Sequence, residues 1–144
     1  MPTPSDEIVD SIFKLLAVEE MGEKHMGEAL GIQLRRTEIS NPNESFAGEL
    51  PDGPLEKVEF RVNKETDSAI VILEARDGRP ALYQGQLDFS RLAKKPTALD
   101  FNPHVPPEGV ADVIYGPVAK RTFLRFTAKT KRFLGVTIHW GASR

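Results

Sequence analysis

The amino-acid sequence predicts an α+β domain in which an N-terminal amphipathic helix packs on a twisted, mostly antiparallel β-sheet that curves towards a half-barrel. Apolar residues near the start of the chain recur with the period of an α-helix, whereas after Gly31 they recur with the period of a β-strand. Short connections between the predicted strands favour antiparallel neighbours, because parallel neighbours need a long crossover. With 144 residues, the chain is expected to form a single globular domain, helical over 4–30 and β-rich over 32–140.

The first predicted element is a helix that begins after Thr3. Thr3 is a suitable N-cap, Pro4 suits the first helical position, and Asp6 favours the positive end of the helix dipole. An apolar stripe follows at helical spacing and consists of Ile8, Ile12, Leu15 and Leu16. Residues 21–30, which glycines interrupt, predict a second short helix or a frayed continuation of the first. Because apolar terminal helices often form dimers, a homodimer is left open.

Three successive strands are predicted to form an antiparallel meander. Residues 57–62 alternate between apolar and charged side chains, and residues 69–75 are almost continuously apolar, which is typical of a central strand covered on both faces. Residues 81–87 are the third strand, and Asp77-Gly78 is the turn signal before it.

Three side chains of this meander are expected to lie in the core. We expect Ile72 and Leu73 to be fully buried in the central strand, and Phe60 to face inward on the neighbouring strand.

The last third of the chain predicts a proline-rich connection followed by a second hairpin. Residues 94–117 hold five of the eleven prolines, with short strands at 98–101 and 110–115. Two β-rich runs then follow at 122–128 and 133–140, and a basic turn joins them.

The charge of the chain is unevenly distributed. Residues 1–60 contain 13 acidic and 5 basic side chains, whereas residues 120–144 contain 7 basic side chains and no acidic one, although the net charge is only −2. Such asymmetry indicates either a surface for an anionic partner or two parts of one fold that attract each other.

The composition excludes several classes of site and indicates a compartment. The chain contains no cysteine, which excludes thiol nucleophiles, disulfides and thiolate metal sites. No apolar run is long enough to cross a membrane, and the start of the chain lacks the pattern of a secretory signal. We therefore expect a cytoplasmic protein without membrane association, and no cofactor is predicted.

The basic C-terminal hairpin is a candidate polyanion site. Its cations alternate with Phe123, Phe126 and Phe133, a mixture that single-stranded nucleic-acid binders use for phosphate contact and base stacking. The candidate residues are Arg125, Lys129, Lys131 and Arg132. The alternative is that the rings fill the core and the cations lie in solvent, and this alternative counts against nucleic acid as a partner.

The proline-rich connection is a candidate ligand or metal site. Asp100, His104, Glu108 and Asp112 follow one another at intervals of four residues, but the intervening prolines exclude a helix that would align them. A loop could still gather some of these side chains. His139, next to the end of the last predicted strand, is a further candidate for facing a pocket.

The function predicted from these patterns is that of a small, non-enzymatic binding or protein-interaction module, with a protein or a small molecule as partner. The alternative is a small-molecule-binding or hydrolytic enzyme that uses an apolar cavity with histidine and carboxylates. Polyanion binding through the basic hairpin is the third hypothesis. A deep cavity lined by histidine and carboxylates would favour the enzyme, and a filled core with an exposed apolar patch would favour the interaction module.

Overall fold

The computed structural model describes residues 3–40, 43–77, 80–117 and 119–141. Within these residues, helix α1 (Pro4–Leu16) and helix α2 (Glu23–Leu30) precede eight strands. The strands are β1 (Arg35–Ser40), β2 (Asn43–Glu49), β3 (Leu55–Asn63), β4 (Ser68–Ala75), β5 (Ala98–Asn102), β6 (Val110–Tyr115), β7 (Lys120–Thr127) and β8 (Phe133–Trp140). Neither helix is long and apolar enough to cross a membrane.

All eight strands form one twisted antiparallel sheet in the order β1-β2-β3-β4-β8-β7-β6-β5. Strands β1 to β4 make one meander and β5 to β8 make another, and the pairing of β4 with β8 joins the two. The sheet is open, with β1 at one edge and β5 at the other. The predicted α+β class, with an N-terminal helix on a mostly antiparallel sheet, is therefore confirmed, and the sheet does not close into a barrel.

Helix α1 begins as its sequence predicts. The Thr3 hydroxyl accepts a hydrogen bond from the Asp6 N–H (3.1 Å), and the Asp6 carboxylate accepts one from the Thr3 N–H (3.2 Å). This reciprocal capping box satisfies N–H groups that have no partner inside the helix. The apolar stripe is buried at Ile8, Ile12 and Leu15, whereas Leu16 is half-buried. Because this stripe packs within its own chain, a homodimer would need another surface.

The helices pack on one face of the sheet, which we call the covered face. Its side chains, among them Phe60, Leu73 and Leu124, form one apolar cluster with the α1 stripe. The opposite face, which we call the open face, carries side chains such as Ile72 and Phe123 that are half-buried. On β6 this face also carries Val110 and Ile114, which are buried. The predicted burial of Leu73 and Phe60 is confirmed, and that of Ile72 is wrong.

The error at Ile72 has a simple cause. An apolar run indicates that side chains avoid water, but neighbouring side chains of the same sheet can shield them without a second layer. Ile72 lies between Glu59 of β3 and Thr137 of β8, which shield it laterally. Strand β4 is therefore covered on one face only.

The third strand of the predicted meander does not form. Within 81–87 the described structure contains a single bridge from Tyr83 to Arg132 and a 3₁₀ turn at Gln84–Gln86. The position beside β4 is occupied by β8 from the end of the chain. The predicted turn at Gly78 lies outside the described residues.

The other strand predictions are confirmed to within about two residues at each end. The two short strands of the proline-rich connection are β5 and β6, and the second hairpin is β7 and β8. Two strands, β1 and β2, were not predicted.

Candidate functional site

Strand β5 leaves two large apolar side chains in solvent. It is the last strand of the sheet, with no strand beyond it in the described part of the chain, and all five of its residues are exposed. Leu99 is 73% exposed and Phe101 is 59% exposed. Both lie on the covered face, because they pair with Val113 and Ala111 of β6.

These two side chains end two rows that cross the covered face. The first row runs in register from β5 to β4 and consists of Leu99, Val113, Leu124, Val136 and Leu73. The second row consists of Phe101, Ala111, Phe126 and Phe133. The two apolar rows thus continue from the buried core through the half-buried Val113 and Ala111 of β6 to the edge, where they end without cover. We call Leu99 and Phe101, with the strand that carries them, the β5 edge.

The open face of the same edge is acidic. Asp100 pairs in register with Asp112 of β6, which in turn pairs with Arg125 of β7. The Arg125 Nε donates to Asp112 Oδ1 (2.9 Å) and its Nη2 donates to Oδ2 (3.1 Å). This bidentate contact with Asp112 raises the pKa of Arg125, with a further contribution from the charge of Asp100.

Asp100 and Asp112 together carry one more negative charge than Arg125 compensates. Both hydrogen bonds of Arg125 go to Asp112, whose side chain is only 9% exposed. Among the ion pairs of the described residues, none includes Asp100. Two carboxylates against one guanidinium leave a net negative charge at the β5 edge.

The four residues that the sequence suggested as metal ligands are not assembled. Asp100 and Asp112 are neighbours, but the backbone N–H of His104 donates to Asn102 within an exposed loop. Glu108 accepts hydrogen bonds from the backbone N–H groups of Lys129 (2.8 Å) and Thr130 (2.7 Å). Across the described residues, no group of three histidines or carboxylates could hold a metal ion.

Two of these candidates have other positions in the structure. Glu108 anchors the β7–β8 turn. The hydrogen bonds that it accepts from backbone N–H groups, above all from Thr130, hold its pKa below the ordinary value. His139 lies on the open face opposite Arg121 and is half-buried.

The basic hairpin is dispersed over two environments. Lys129, Lys131 and Arg132 lie exposed in or next to the β7–β8 turn, whereas Arg125 lies on the open face against Asp112. Two of the three interleaved rings, Phe126 and Phe133, fill the core, and Phe123 lies half-buried on the open face. Polyanion binding by these four cations stays a hypothesis.

A surface cleft of about 650 Å³ lies where β3, β4 and β8 meet the segment at 80–82. Its lining combines apolar side chains such as Leu82 and Phe133 with charged ones such as Glu74 and Arg132. The described lining residues include no histidine. Arg76, one of the lining residues, donates from Nε to the Gly53 carbonyl oxygen (2.9 Å), so that this cation holds a loop.

Comparison of the chain with protein-family models, with curated proteins and with solved structures finds no match. The candidate site therefore stands on its own geometry. Leu99 and Phe101 were not among the residues singled out from the sequence. The available signal was a short alternating run between Pro96 and Pro103, since prolines are tolerated at the ends of edge strands.

Proposed function

We propose that this protein is a non-enzymatic protein-interaction module and that it binds a partner protein at the β5 edge. One observation carries the proposal: Leu99 and Phe101 end two apolar rows of the covered face and are mostly exposed. Large apolar side chains along an edge strand attract a further chain, because burial of the side chains and pairing of the backbone on its open side are both favourable.

The apolar side chains would supply part of the binding free energy. Burial of a leucine or phenylalanine side chain contributes about 1.5–3 kcal/mol, so covering the exposed parts of Leu99 and Phe101 contributes about 2–4 kcal/mol in total. Backbone hydrogen bonds to β5 would add to this amount.

The arrangement of the other candidates favours this proposal over the two alternatives. A small-molecule or hydrolytic site would use the 650 Å³ cleft, but His104 and His139 are not among its lining residues. Polyanion binding would need free cations next to free rings, whereas Arg125 is engaged by Asp112.

Position-specific photocross-linking tests the proposal. A photoreactive phenylalanine analogue replaces Phe101 in one variant and Thr37, which is exposed on the opposite edge strand β1, in the control. We expect a discrete protein adduct from position 101 and none from position 37, in cells that normally produce the protein. Equal adducts from both edges, or none from position 101, would contradict the proposal.

A point variant shows that an adduct depends on the apolar edge. With the photoreactive group moved to Leu99, the substitution Phe101→Glu should abolish the adduct, whereas thermal unfolding should be unchanged because Phe101 is mostly exposed. An adduct that survives this substitution would point to another surface.

A further inference from the structure

We infer that the partner contributes an extended segment which pairs with β5 as a ninth strand and places a lysine or arginine opposite Asp100, between two apolar residues. This inference rests on the proposed function and names the chemistry of the partner.

The backbone of β5 is suited to strand addition. The strand pairs with β6 over all five residues without a register shift, and it has no described strand on its outer side. On the outer side of an edge strand, every second residue presents its N–H and C=O groups to any strand that is added there. Pro96 and Pro103 flank the strand and limit the pairing to about five residues.

The covered face requires apolar residues in the added strand. Leu99 and Phe101 are two residues apart, so their cross-strand partners are also two residues apart and on the same face. Apolar side chains at these positions would extend the two apolar rows by one strand each.

The open face requires a cation between them. The residue opposite Asp100 in a ninth strand would continue the row of Asp100, Asp112 and Arg125. That row has one net negative charge, and opposite charges across neighbouring strands stabilise the pairing. A lysine or arginine there compensates Asp100, whereas an acidic residue would be repelled.

The same charge disfavours a second copy of the chain in the matching register. Two β5 strands paired antiparallel about Asp100 would place the two Asp100 carboxylates directly opposite each other, and like charges at such positions are destabilising. A segment with the order apolar, basic, apolar meets the requirements of the edge better than the β5 sequence itself does.

Labelled peptides test the inference with the full chain. The probe is a fluorescein-labelled peptide of about seven residues with a central lysine between two valines, and its matched control replaces the lysine with glutamate. Fluorescence anisotropy should show about five- to tenfold tighter binding of the lysine peptide. Asp100→Asn should remove most of this preference, and Asp100→Lys should reverse it.

Two controls separate strand pairing from nonspecific attraction. Phe101→Glu should abolish binding of the lysine peptide, although it adds a negative charge that would favour simple electrostatic attraction. Methylation of alternate backbone nitrogens of the peptide should abolish binding as well, because it removes the donors that pair with an edge strand. Retained binding in either control would contradict strand addition.

The outcomes distinguish this inference from the proposed function. Equal binding of both peptides, lost in Phe101→Glu, would overturn the cation and leave the interaction edge intact. Failure of both peptides, together with a cross-linked partner at position 101, would overturn the ninth strand alone. A cross-link between two copies and a dimer in sedimentation would make a second copy the occupant and overturn the inference. Absence of peptide binding and of any adduct would overturn both.

Discussion

The two edges of this sheet differ in how they meet solvent. Strand β1 exposes Arg35, Arg36, Thr37 and Glu38, and a bulge between Arg36 and Glu38 interrupts its pairing with β2. Strand β5 has regular pairing with β6 and exposes Leu99 and Phe101. Both are terminal strands of the same sheet, so topology does not explain the difference.

The difference shows which edge is protected against further pairing. Charged side chains and bulges on an edge strand oppose the addition of another strand, because they must be desolvated and they distort the ladder. Strand β1 has both features, whereas β5 has a single charge, at Asp100. The contrast supports β5 as the edge that receives a partner, and the charge at Asp100 selects among partners.

The largest expected difference in stability is between a substitution inside an apolar row and one at its exposed end. Leu73 and Leu99 belong to the same row across the covered face, but Leu73 is buried and Leu99 is mostly exposed. Leu73→Ala should lower the free energy of unfolding by about 2–5 kcal/mol through lost packing and a cavity. Leu99→Ala should change it by less than about 0.5 kcal/mol. Urea unfolding of both variants measures this, and similar losses would mean that Leu99 is covered within the monomer.

An effect of intermediate size on stability is expected from two arginines, one in each half of the sheet. Arg36 binds Glu44 (3.0 Å) in the β1 meander and Arg125 binds Asp112, and the two carboxylate side chains are similarly buried, 11% and 9% exposed. Glu44 also pairs with Lys64, whereas Asp112 faces the second carboxylate of Asp100.

Removing each arginine should therefore have unequal consequences. Arg125→Ala should destabilise the protein by about 1–2 kcal/mol, because a buried carboxylate loses two hydrogen bonds from its cation. Arg36→Ala should cost less than about 1 kcal/mol, because Lys64 still compensates Glu44. Chemical unfolding of both variants measures the difference. Adding Asp112→Asn to Arg125→Ala should recover part of the loss, and equal costs for the two arginines would contradict the role assigned to Asp100 and Asp112.

The smallest expected effect concerns acid stability. The pKa of Glu44 is lowered, first by the hydrogen bond from Lys64 and then by nearby cationic charge, and the pKa of Glu108 is lowered mainly by the Thr130 and Lys129 backbone N–H groups. A lowered folded-state pKa contributes stability that is complete above the ordinary glutamate value of about 4.3 and is lost as the pH falls through the lower folded value.

Both Glu44→Gln and Glu108→Gln should accordingly flatten the loss of stability below about pH 4.3. High salt should diminish the effect of Glu44→Gln, because the cations that contact it, Arg36 and Lys64, are exposed and their attraction is screened. It should change the effect of Glu108→Gln less. Thermal unfolding against pH at two salt concentrations measures this. Identical salt dependence in the two variants would show that Glu108 is held by charge rather than by backbone hydrogen bonds.

The strands that could be predicted are those whose buried face is apolar. Strand β3 alternates cleanly, so its pattern is visible without a structure. Strand β2 places Glu44, Phe46 and Gly48 on its buried face, so it shows no apolar alternation, although Arg36 and Lys64 compensate the buried carboxylate. Its prediction needed partners that only the folded chain brings together.

The sequence by itself determined the local elements: the capped helix α1, the two-residue period of the central strands, and the alternation of Leu99, Asp100 and Phe101. These features depend on side chains within one turn or one strand, where spacing alone sets the face that each residue occupies. Tertiary structure decided the order of the strands, which places β8 rather than 81–87 beside β4 and leaves β5 at an edge. Exposure of the β5 edge follows from that order, because a strand is covered or uncovered according to neighbours that are distant in the chain.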